Sequence, residues 1–281
     1  MRFVIRNRDW FENAILVLVL PFVAGAVNAS GFMMLGVYTS HVTGNVARIG
    51  DELAQGRADV AIAAALLVVA FYVGAVLATA LVALAKSHRR ARYSFALLAE
   101  AGALVLVLVL AHDRFQAVRG AHTLAVCLLG LSMGMQNALV TKLSGAVVRT
   151  THVTGIVTDL AIETVRLVGW FRESTRGRPL LHRFTHVWHS RAHDELKRLR
   201  LHLAIFGSFF SGAIIGPLLY VFVGEPSMVA PILVLFGLVA FDTRIGFRDP
   251  TRRKGRGLKD GLRMGPRARR TGAVRSPDVG R

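Results

Sequence analysis

Negative charge is scarce in this sequence, and over long stretches charge of either sign is missing. Against 35 Lys and Arg there are 17 Asp and Glu, a formal net charge of +18. Val60–Ala85, Ala101–Ala111 and Leu201–Gly224 contain no Lys, Arg, Asp or Glu. A soluble domain carries about a quarter charged residues, whereas this chain has 19%, with 53% hydrophobic residues. Cysteine is nearly absent: Cys127 stands alone, which excludes an intrachain disulfide and a cysteine-ligated metal site and leaves the redox compartment unread. There is no phosphate-cradling G-x-x-x-x-G-K-[ST] and no H-E-x-x-H. With no nucleophile–base set in view, the sequence reads as no enzyme, with no cofactor and no metal.

What is present is length in apolar runs. Crossing a hydrocarbon core of about 30 Å takes roughly 20 apolar residues. Six segments meet that test: Asn13–Val37, Val60–Ala85, Ser94–Ala111, His122–Thr141, Leu201–Gly224 and Met228–Phe247. The fold class expected is therefore an all-α membrane protein with about six transmembrane helices. Arg2, Arg6 and Arg8 followed by an apolar run have the outline of a secretory signal. The run continues through Gly31-Phe32-Met33-Met34-Leu35, which suits a full span better.

Positive charge supplies the orientation. The N-terminus holds three Lys or Arg, Lys86–Arg92 four, Lys142–Arg200 eleven and Arg244–Arg281 thirteen; the alternate loops hold only Arg48, Arg57, Arg114 and Arg119. Basic loops stay inside, so both termini are expected in the cytoplasm. The domain plan is a cytoplasmic N-terminus (1–12), a first three-helix unit (13–111) and an extracytoplasmic loop (112–121). A second unit (122–247) follows, carrying a basic, His-rich insertion (171–200), and a tail (248–281) ends the chain. The Gly- and Pro-rich tail reads as disordered. Its expected partner is anionic lipid of the bilayer, at about 1 kcal/mol per basic residue. Without interleaved aromatics for base stacking, it is not read as a nucleic-acid site.

The chain also resembles itself. Ser40-His41-Val42-Thr43-Gly44-Asn45 recurs as Thr151-His152-Val153-Thr154-Gly155-Ile156. Upstream, Gly25-Ala26-Val27-Asn28-Ala29 matches Gly134-Met135-Gln136-Asn137-Ala138; downstream, Tyr72-Val73-Gly74-Ala75-Val76-Leu77-Ala78 matches Phe210-Ser211-Gly212-Ala213-Ile214-Ile215-Gly216. Three matches in one order mark a repeat. Three helices per repeat is an odd number, so the second repeat would enter from the opposite face: two three-helix inverted repeats, a plan common in secondary transporters.

These paired motifs, with Ser30-Gly31-Phe32 and Arg149-Thr150 beside them, resemble the YoaK family of bacterial multi-spanning membrane proteins, a domain of unknown function. The resemblance runs from about Leu16 to Ala240. It implies the same multi-spanning fold and supplies no substrate.

Several residues are candidates for a path through the membrane. His41, Thr43 and Gly44, with His152, Thr154 and Gly155, would start short helices at Asn45–Leu53 and Ile156–Val168, capped by Thr39, Ser40 or Thr43. Either these elements are half-helices whose N-termini converge on a polar or anionic solute, or they are polar loops at headgroup level. The histidines would relay protons or tie loop backbone. Asn28 and Asn137 either line a path or glue helices. Glu100 is an intramembrane carboxylate, functional or snorkelling to an interface. Asp159, Glu163 and Arg166 share a helix face and read as an ion-pair ladder. His182, His186, His189 and His193 share a face of an interfacial helix anchored by Trp188. Gly74, Ala78, Gly212 and Gly216 let helices approach closely, between the two halves or between protomers of a homo-oligomer. The function read from this is that of a transporter or channel for a small polar solute, working without ATP. The alternative is a non-transporting scaffold or sensor acting through the insertion and tail.

Overall fold

The structure is a computed structural model, and it describes residues 7–85, 91–112, 118, 120–143, 153–175 and 194–245. The chain divides into two units, Met1–Arg248 and Asp249–Arg281; every described residue belongs to the first. Among the described residues there are eight α-helices and no strand. They are α1 (Asn7–Leu35), α2 (Val42–Ala54), α3 (Ala58–Leu84), α4 (Ser94–Ala111), α5 (Ala121–Leu143), α6 (Val153–Thr175), α7 (Asp194–Val223) and α8 (Val229–Arg244); a 3-10 turn, Glu225–Met228, precedes α8.

Six of these, α1, α3, α4, α5, α7 and the 3-10 turn with α8, are long and apolar enough to cross a membrane. The protein is a multi-pass integral membrane protein. Each described span lies within a few residues of its expectation, except that α7 begins at Asp194 and α6 runs to Thr175. Residues 171–175 and 194–200, assigned to the insertion, are thus ends of helices. The histidine face of His182, His186, His189 and His193, and the tail, lie outside the described residues.

The hydrophobic faces explain the arrangement. Inside the protein, 61% of the α5 span and 56% of the α1 span are buried, against 22% of α3 and 17% of α7. α1 and α5 are therefore the centre, and α3 and α7 turn apolar residues such as Val69, Tyr72, Val221 and Phe222 outward, where lipid replaces water as their solvent. α1 packs most extensively on α7, and α3 on α5; α5 also packs on α4 and α1, and α4 on α8.

Close approach in both major contacts depends on glycine. A Cβ on Gly25 of α1 would fall on the carbonyl oxygen of Phe209 in α7, and one on Gly212 of α7 on that of Phe22 in α1. In the other pair, a Cβ on Gly134 of α5 would fall on the Phe71 carbonyl of α3, and one on Gly74 of α3 on the Leu131 carbonyl of α5. Gly216 likewise lies against Ala26, and Ala78 is fully buried. The small-residue stripes thus lie between residues 13–111 and residues 122–247 of the same chain. Without a water-driven hydrophobic effect between spans, such backbone proximity is what holds membrane helices together.

Candidate functional site

α1 ends because Gly36 adopts φ +70 and its N–H donates to the Phe32 carbonyl at 2.8 Å, a left-handed stop that glycine accommodates. The chain then folds back along α1. The Ser40 N–H donates to Asn28 Oδ1 at 3.1 Å, two turns before the end of α1. The Tyr38 ring stacks on Phe32 at 4.1 Å, and Asn45 Nδ2 donates to the Tyr38 carbonyl at 3.1 Å. Asn28 is therefore the anchor of the turned-back segment.

His41 is the N-cap residue of α2, and no side chain caps that helix start. Capping by Thr39, Ser40 or Thr43, expected from sequence, does not occur: Ser40 contributes its amide, and the buried Thr39 hydroxyl has no partner. The His41 ring instead lies over Gly44, where a Cβ would come within 2.6 Å of its Nδ1. His41 and Thr43 are exposed, and Gly44 is half-buried. At 13 residues, α2 rises about 20 Å, too short to span.

A cavity of about 170 Å³ opens beside this element. α2 lines it with Asn45 and Arg48, α3 with Val60, Ala64 and Leu67, and α5 with His122, Thr123 and Cys127. His122 Nε2 lies 3.2 Å from the Leu35 carbonyl, tying α5 to the end of α1. The space is large enough for water, and Asn45, Arg48, His122 and Thr123 offer it polar partners.

In the second half, α6 starts at Val153, so Thr154 and Gly155 fall in its first turn, exposed and half-buried. The Thr154 carbonyl accepts from Thr158 Oγ1 at 2.9 Å. His152 lies outside the described residues. Asn137 is half-buried on α5, its carbonyl accepting from Thr141 Oγ1 at 2.7 Å.

The ion-pair ladder expected along α6 is not what the structure holds. Asp159 and Arg166 are exposed, whereas Glu163 is buried against His202 of α7, with His202 Nδ1 2.9 Å from Oε2. The face that Glu163 occupies packs on α7, and an apolar neighbour drives a carboxylate to the nearest basic group. Glu163 stands eleven residues after His152, and Glu52 stands eleven after His41. Glu52 is also buried, paired with Arg57 and with Arg48 at 3.5 Å. The hydrogen bond from Arg57 holds its carboxyl below the usual range, against the opposing effect of burial, with Arg48 adding to the lowering. Carrying the repeat register eight residues past Thr43-Gly44 and Thr154-Gly155 is the signal that reveals this equivalence.

Glu100 does not snorkel. It is 0% exposed, and neither carboxylate oxygen has a hydrogen-bond partner. Sequence reasoning passed over Asp242, also 0% exposed, whose Oδ2 accepts from the Tyr93 N–H at 2.8 Å and Ser94 Oγ at 2.9 Å. One helix thereby caps the start of another, α4, in contrast to the uncapped start of α2. Its signal was a lone acid in the apolar run Leu238-Val239-Ala240-Phe241-Asp242. Among the described residues, no three His, Cys, Asp or Glu side chains come together as a metal site.

No curated protein and no solved structure matches the chain. Residues 16–241 match the family model described as Protein of unknown function (DUF1275), and the chain belongs to that family.

Proposed function

We propose that the protein is a secondary transporter of a small polar solute, built as two three-helix inverted repeats in the cell membrane with both termini cytoplasmic. The observation that carries this reading is the correspondence of the glycine contacts. Gly25 and Gly134 are equivalent in the repeat, as are Gly74 and Gly212. Their partners Phe209 and Phe71, and Phe22 and Leu131, are equivalent too. The first helix of each half meets the middle helix of the other through the same positions, as a two-fold relation between halves requires. Inverted repeats with short, interrupted helices are the architecture of many secondary transporters, whose solute binds at the repeat interface.

Asn28 and the segment from Ser40 to Asn45 form one side of the path, with His41 and Gly44 shaping the entry to α2. The uncapped N–H groups of α2 present a positive helix end to a polar or anionic group. Asn137, His152, Thr154 and Gly155 are the counterparts at the other side. No ATP-binding loop is present in the sequence, so gradients drive the cycle.

The test is topological. With Cys127 replaced by Ser, single cysteines at Ser40 and Thr151 are labelled in intact cells with a membrane-impermeant thiol reagent. Labelling at Ser40 alone, with Thr151 reacting after permeabilisation, is expected. Labelling of both in intact cells overturns the inverted repeat and brings forward the scaffold reading, which deletion of 248–281 then tests.

A further inference from the structure

Among the described residues, three buried polar side chains on α4 and α5 have no hydrogen-bond partner. Glu100, the seventh residue of α4, is fully buried beside Leu97, Ala101 and Leu104, with both oxygens unpartnered. Ser132 and Gln136 of α5 are one turn apart and also fully buried, and neither the hydroxyl nor either amide atom has a partner. Gly130, Leu131 and Gly134 face α3. At 100° per residue Ser132 and Gln136 fall on the opposite side of α5, the side left for α4 and α1. α4 and α5 are packed neighbours joined by nine residues, 112–120, and a short connection makes such helices antiparallel. Glu100 lies six residues from Ser94 and Gln136 seven from Leu143, about 9 and 10 Å from the same end of the bundle. Glu100 and Gln136 thus share one buried layer, and Ser132 lies about 6 Å further from that end.

An unpartnered polar group there is unfavourable, and an uncompensated charge far more so. Three together call for a bound water or ligand, or for a second arrangement in which they pair. We propose that Glu100 is a proton-carrying carboxyl, neutral in this arrangement, which takes and releases its proton when movement of α4 against α5 brings Gln136 and Ser132 into hydrogen-bond contact with it. A neutral carboxyl donates one O–H and accepts at its C=O, and the Gln136 amide complements both. A sodium ion fits less well. Such ions are held largely by main-chain carbonyls of unwound helices, and α4 and α5 run unbroken through this layer.

The titratable groups on the helices packed against α4 leave Glu100 alone. On α8 they are Asp242, committed to the start of α4, and Arg244; on α5 they are His122, Cys127 and Lys142. On α3 they are Asp59 and Tyr72, both exposed, and on the 3-10 turn Glu225. Among the described residues none of these is in hydrogen-bond contact with the Glu100 carboxyl. The inference rests on the transporter reading for its second arrangement and uses no solute or flux in its test.

Infrared spectra of the full-length protein in lipid bilayers are recorded from about pH 5 to about pH 10. A protonated-carboxyl C=O band is expected that disappears in Glu100→Gln, fades as pH rises, and changes frequency in Gln136→Leu. Glu100→Asp, which keeps a carboxyl, is expected to retain a shifted band and identifies the residue should Glu100→Gln fail to fold. Absence of any Glu100-dependent band at every pH means a permanently ionised group and overturns the proposal. A band that never changes across the range means a structural acid and overturns it equally. Cysteine accessibility decides the topology separately, so failure of one reading is distinguishable from failure of the other.

Discussion

α2 and α6 follow the same motif in the two halves, and each carries a buried glutamate eleven residues past its histidine, yet the two are tied down differently. Glu52 bonds to Arg57, five residues further on and half exposed, and to Arg48 in its own helix. Glu163 reaches across to His202 on α7 and is buried there with it. The glycine contacts at the centre are matched position for position. The halves therefore share the packing of their spanning helices and differ in the latch on the short one: local and wet in the first half, tertiary and dry in the second.

Breaking the dry latch is the largest effect. Glu163→Ala leaves His202 enclosed without its partner and is expected to cost about 3 kcal/mol, the upper end for losing a buried hydrogen bond to a charged group. The same change at Glu52 frees groups that water reaches and is expected to cost clearly less. Thermal unfolding of both variants in detergent checks this, and equal losses would abolish the distinction between the latches.

The matched packing is sharpened by glycine substitutions. Gly74→Ala and Gly212→Ala each place a methyl on a backbone carbonyl of the facing helix. Each is expected to destabilise by about 2 kcal/mol, and by similar amounts. Gly102 has nothing within 4 Å of its Cβ position, so Gly102→Ala is expected to be neutral or to stabilise by up to about 1 kcal/mol. Unequal losses at Gly74 and Gly212, measured as melting temperatures, would break the equivalence of the two contacts. Smaller again is Asp242→Asn, which weakens the cap of α4 by about 1 kcal/mol; hydrogen exchange at the first turn of α4 reads it.

Spans, repeat and small-residue stripes were legible in the sequence because membrane length and helix periodicity impose them on composition. Ser40 and Thr43 were misjudged as caps because a helix start turned back toward its predecessor meets α1 first, and Asn28 takes the Ser40 amide. Glu163 was misread for a related reason: spacing along one helix shows Asp159 and Arg166 as neighbours, whereas His202 is 39 residues distant. Ser132 and Gln136 look like ordinary polar residues in an apolar run until burial shows that nothing satisfies them. Contacts within a helix can be read from a sequence; contacts between helices depend on which faces meet, and that is set by the whole bundle.

The smallest effect distinguishes the wet latch by pH. The Glu52 carboxyl is held below its ordinary value of 4.5, chiefly by its hydrogen bond from Arg57. A carboxyl lowered on folding stabilises the folded state at pH above the unfolded value, and that stabilisation is lost as pH falls through the folded value. The stability difference between the wild type and Glu52→Gln is therefore expected to stay level from about pH 8 to about pH 6, to shrink once the pH falls below 4.5, and to vanish in stronger acid. Chemical unfolding of both proteins across that range measures it. A difference that instead grew on acidification would mean that Glu52 is held neutral and not paired, and the contrast with Glu163 would have to be drawn on other grounds.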